Sequence, residues 1–151
     1  MSATELKGEA REVALAEAQS VLAMARDDEM RARLAELVAG AEEGAVDGDA
    51  AELLESVLEL GLQAGRIRAY YGPGGEQAAL STLRKLPRGR ERAESARDVS
   101  KALQPFVGKS LEGVSIAAVA PGVFTLSLSA DGFETSVRLD ASGVRLASVA
   151  T

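Results

Sequence analysis

The spacing of apolar residues changes once along this chain, near Gly113, and that change limits what the polypeptide can fold into. Before it, apolar side chains recur at three- and four-residue steps, as in helices with one buried stripe. After it they alternate with polar ones, as in strands covered on a single face. The expected class is α+β. An N-terminal bundle of three to four helices is followed by an amphipathic helix packed on a four-stranded antiparallel β-meander. The division falls between residues 1–88 and 89–151, although 151 residues also suit one continuous domain.

In the helical part, Leu6, Ala10, Val13, Ala14, Ala18 and Val21 form one stripe, and Met30, Leu34, Leu37, Val38 and Ala41 a second. Asp27-Asp28 suits a cap between them, but nothing near Arg26 forces a break, so residues 5–43 read as one long helix or two. Gly44 and Asp47-Gly48-Asp49 end this region. From Asp49 to about Tyr71 leucines surround the helix axis, which marks a buried helix, and Gly61 and Gly65 let a neighbour approach closely. Tyr71-Gly72-Pro73-Gly74-Gly75 then breaks the chain, and Pro87-Arg88-Gly89 ends a short helix. A last helix spans about 90–107, with Ala96, Val99, Leu103 and Phe106 inward and a frayed end at Pro105.

Four strands follow, at about 114–120, 123–129, 133–139 and 144–149. Pro121-Gly122 suits a type II turn and Asp131-Gly132 a two-residue hairpin. The fourth strand has a mixed register, because Val144 and Leu146 share a face that simple alternation denies to Val149.

Composition then removes much of the usual chemistry. The chain has no histidine and no cysteine, so it lacks the side chain that titrates near neutrality and the strongest side-chain nucleophile. The serines at 127, 129, 136 and 148 have no imidazole to activate them. Asp27/Asp28, Glu42/Glu43 and Glu52/Glu55/Glu59 read as solvated helix faces, and Asp47-Gly48-Asp49 lacks the further oxygen ligands of a calcium loop. The glycines at 72–75 lack the Lys-Ser/Thr of a phosphate-binding loop and read as a corner between helices. No catalytic residue, cofactor or metal is expected.

Charge is distributed unevenly. Residues 1–65 hold 5 basic and 15 acidic residues, a net of −10, whereas residues 66–101 hold 9 and 4, a net of +5. An acidic front beside a basic middle implies attraction within the chain or two faces for two partners. The candidate contact residues are Arg66, Arg68, Tyr70 and Tyr71, which end the buried helix, and the basic segment with Arg84, Lys85, Arg88 and Arg90. Charge reversal at Arg66, Arg68 or Arg88 is expected to weaken partner binding without unfolding the protein.

The function expected from these features is a non-enzymatic protein-interaction module: a small adaptor, scaffold or chaperone-like protein that also self-associates. In size and acidity it resembles type III secretion chaperones, but its helices-first order departs from their mixed order. Anion or nucleic-acid binding through residues 84–92 is the alternative, disfavoured by the overall charge of −6 and the scarcity of aromatics. A carboxylate- or cofactor-dependent enzyme is a third reading. No apolar stretch is long enough to span a membrane, and no signal-peptide pattern opens the chain, so a cytoplasmic location is expected. Arginine exceeds lysine, and Ala and Gly are abundant, as in proteins of GC-rich bacteria.

Overall fold

Asp27 decides how the first forty residues fold. Its side chain accepts a hydrogen bond from the Met30 amide at 2.9 Å, capping a second helix, so 5–43 is two helices: α1 (Gly8–Met24) and α2 (Asp28–Glu43). The computed structural model describes residues 3–150, which form two compact units divided between Arg90 and Glu91.

In the first unit, β1 (Thr4–Glu5) pairs antiparallel with β2 (Ala45–Val46), joining the start of the chain to the segment after α2. The helix expected over 49–71 is divided. Helix α3 (Gly48–Gln63) stops at Ala64, and α4 (Arg66–Lys85) starts after Gly65, whose φ of 74° is left-handed backbone. Gly65 is therefore a helix stop, and Gly61 alone is the point of close approach. A Cβ on Gly61 would lie 2.9 Å from the Ile67 side chain and 3.0 Å from a Glu17 carboxylate oxygen. The break expected over 71–75 contracts to Gly72, while Pro73 is already helical. Helix α1 packs on α2, α3 and α4, and α3 packs on both α2 and α4. Leu6, Leu34, Leu37, Leu54, Leu58, Ile67 and Leu86 are fully buried in the shared core.

Helix α5 (Pro87–Leu103) begins at Pro87 instead of after it, because proline's fixed φ and missing N–H suit a first helical turn. A 3₁₀ turn, Gln104–Phe106, ends this stretch at Pro105.

In the second unit, β3 (Gly113–Ala120), β4 (Val123–Ala130), β5 (Phe133–Asp140) and β6 (Gly143–Ala150) form an antiparallel meander in that order, packed against helix. From residue 91 onward, Arg92, Ser95, Val99, Ala102 and Leu103 are the less exposed positions of α5, whereas Ala96, expected inward, is exposed. The Arg92 side chain lies against the Gly143 turn. Buried Ala130, Thr135 and Val137 mark the covered middle of the sheet. The mixed register of the fourth strand is a β-bulge. Ser136 pairs with Ser148 and Val137 with Leu146, so Ala147 is the extra residue and Val149 returns to the apolar face opposite Thr135.

Candidate functional site

Two glutamates sit where the helical pattern requires apolar residues. Glu17 follows Val13 and Ala14 by four and three residues, on the stripe α1 turns into the core. Glu55 follows Ala51 by four, on the buried face of α3. Each is only 1% exposed. A carboxylate so deeply buried persists only if it is paired and hydrogen-bonded.

Both are. Arg66, at the start of α4, donates from Nε to Glu17 Oε2 at 3.1 Å and makes a second, closer contact through Nη2. The Tyr71 hydroxyl donates to Glu17 Oε1 at 3.2 Å. Burial, with the Glu17 charge beside it, pushes the Tyr71 hydroxyl above its ordinary value of 10.0. Glu55 accepts from the Arg88 backbone amide at 3.2 Å and from Arg88 Nε at 2.9 Å. Arg88 also reaches Ser56 Oγ at 3.2 Å. Among the described residues, no buried side-chain nitrogen or oxygen lacks a partner.

The eight candidate contact residues therefore divide. Arg66, Tyr71 and Arg88 hold the two buried acids of their own unit and are not free surface groups. Arg68 and Tyr70 face outward, with Tyr70 77% exposed. Arg84, Lys85 and Arg90 come together on a cleft of about 410 Å³ beside Thr4 and Glu5. Arg90 donates to the Lys85 carbonyl at 2.6 Å and to Thr4 Oγ1 at 3.2 Å. Glu55, expected on a solvated face, is the acid that sequence reasoning misplaced. For Glu17 the signal in the sequence is a carboxylate inside an apolar stripe.

The remaining features carry less chemistry. The Glu9 carboxylate lies against Gly74, so the start of the helix after Gly72 already faces an acid of the same chain. Among the described residues no group of three or more carboxylates is arranged to hold a metal ion.

The sheet carries several exposed apolar side chains. Seven of the eight residues of β3 are exposed, including Val114 at 60% and Ile116 at 63%. Phe124 on β4 and Leu146 and Val149 on β6 are also exposed. Among the described residues β3 has a hydrogen-bonded strand neighbour on one side only, so along its outer side main-chain N–H and C=O groups stand open. No helix is long and apolar enough to cross a membrane among the described residues. No protein-family profile, curated protein or solved structure matches the chain.

Proposed function

We propose that the protein is a non-enzymatic interaction module whose second unit binds protein through its sheet. The observation that carries this reading is the exposure of β3: an eight-residue edge strand with large aliphatic side chains in water and an open main-chain ladder. Exposed apolar groups at a sheet edge gain from an added strand, which supplies main-chain hydrogen bonds and covers side chains in one step. Arg68 and Tyr70, outward on α4, form a second available surface. The buried carboxylates support the same reading, since each is 1% exposed and engaged by an arginine of the fold. The anion reading has less support, because Arg88, central to the basic segment, is engaged by Glu55.

The test is co-purification of the tagged chain from the organism that encodes it, with Ile116→Lys and Arg68→Glu in parallel. A stoichiometric protein partner that is lost with one variant, while circular dichroism shows the fold retained, is the expected result. Recovery of nucleic acid in place of protein, or of no stoichiometric partner and no self-association, would overturn the proposal.

A further inference from the structure

We infer that β3 pairs antiparallel with β3 of a second copy, across a twofold axis at Ser115, to give a continuous eight-stranded sheet. This rests on the interaction-module reading and names the occupant of its most open edge.

The two edges of the sheet differ. β6 carries Arg145, and the Ala147 bulge interrupts it midway. A charge and a bulge are standard means of keeping an edge from pairing. β3 carries no charged residue and no proline. Its one irregularity lies near the end, between Ala118 and Ala120, which leaves Gly113–Ala118 regular. One edge is protected and the other is left able to pair.

Three observations select a second copy as the occupant. The first is a row of serines across the sheet. Ser115 pairs with Ser127, Ser127 with Ser136, and Ser136 with Ser148, one serine per strand at the same level. Within the row Ser127 and Ser136 hydroxyls are 3.2 Å apart and hydrogen-bonded. The row stops at the open edge with Ser115. A twofold axis there places Ser115 opposite its own copy and continues the row through eight strands, adding the kind of cross-strand hydroxyl pair the sheet already uses.

The second is the other face in the same register. Residues opposite each other across an antiparallel pair share a face, so Val114 meets Ile116 of the second copy and Ile116 meets its Val114. Four exposed aliphatic side chains then cover one another. The third is charge. An uncharged strand brings no like charges together when it meets itself, and it offers a foreign strand no charge by which to be selected. The nearest acids, Glu112 of each copy, fall roughly 20 Å apart at opposite ends of the paired segment. A contact built mainly from one strand pair lies at the small end of specific interfaces, so association in the micromolar range is expected.

Two measurements on the whole protein decide the matter. The first is sedimentation velocity over increasing concentration, where a reversible monomer–dimer equilibrium is expected, with Ile116→Lys monomeric throughout. The second uses the absence of native cysteine. Ser115→Cys is expected to give a disulfide-linked dimer on mild oxidation, because opposed Cα atoms in an antiparallel pair lie within disulfide range. Ala117→Cys is expected to stay unlinked, its two copies lying roughly 14 Å apart in this register. Ser115→Cys decides the question even if Ile116→Lys fails to fold. Cross-linking at 117 and not 115 overturns the register. A monomer at every concentration, with no link at 115, overturns self-pairing. In that case a stoichiometric foreign partner lost in Ile116→Lys preserves the interaction-module reading, and absence of any partner ends both.

Discussion

At the scale of single residues, the fold depends on two acids that water does not reach. Glu17 and Glu55 each exchange hydration for an arginine that arrives from a later helix, and the exchange is favourable only while both partners are present. Arg66→Ala should therefore lower the unfolding free energy by about 3 kcal/mol, the usual cost of leaving one member of a buried pair alone. Arg68→Ala, two residues along on the exposed face, should change it by no more than about 0.5 kcal/mol. Urea denaturation of the two variants checks this, and an unchanged Arg66→Ala would mean that the Glu17–Arg66 pair does not hold the fold. The same pairing bears on the expectation that charge reversal at Arg66 or Arg88 leaves the fold intact, because each reversal would set a new carboxylate beside a buried one. These residues were visible in the sequence as types but not as roles. Spacing marks Arg66 and Tyr71 as a helix terminus and says nothing of a glutamate 49 residues upstream.

At the scale of elements, legibility follows the length of the repeating signal. The four long strands and their turns were readable because β4 and β5 alternate along most of their length and each turn carries its own chemistry. Asp131 and Gly132 both take positive φ, as the hairpin expected at that pair demands. The strands β1 and β2 are two residues each, too short for any period to register. The stop at Gly65 was hidden because leucines continue up to it and Ile67 resumes after it. The last turn holds a sharper signal. Asp140 Oδ1 accepts from both the hydroxyl and the backbone amide of Ser142, the latter at 2.9 Å, and Arg145 lies 3.1 Å from Oδ2. The Ser142 hydroxyl first, then its amide, hold the Asp140 carboxyl down at about 2, against an ordinary value of 3.8. The ionised form is thus favoured by folding. Its contribution is present above pH 3.8 and is lost as pH falls toward 2. In Ser142→Ala the carboxyl should titrate closer to 3.8, as followed by NMR of the Asp140 side chain.

At the scale of the molecule, the two units differ in how much they bury. The first encloses a continuous core of leucine, valine, isoleucine and alanine from four helices. In the second, the buried apolar side chains among the described residues are Val99, Ala130 and Val137. The second unit should unfold at lower urea. The aromatic residues make this observable: both tyrosines lie in the first unit and all three phenylalanines in the second. Tyrosine fluorescence should therefore report a later transition than the loss of sheet by far-ultraviolet circular dichroism. If β3 pairs with its copy, the earlier transition alone should rise with protein concentration. Coincident, concentration-independent transitions would count against both ideas.

The order of the two ion pairs along the chain bears on how the protein is made. Each acid leaves the ribosome first, and its guanidinium follows 49 residues later for Glu17 and 33 later for Glu55. Helices α1 and α3 thus emerge each carrying a carboxylate, ahead of its arginine, on the face it must hide. The bundle should therefore complete its closure only after Arg88 has cleared the exit tunnel.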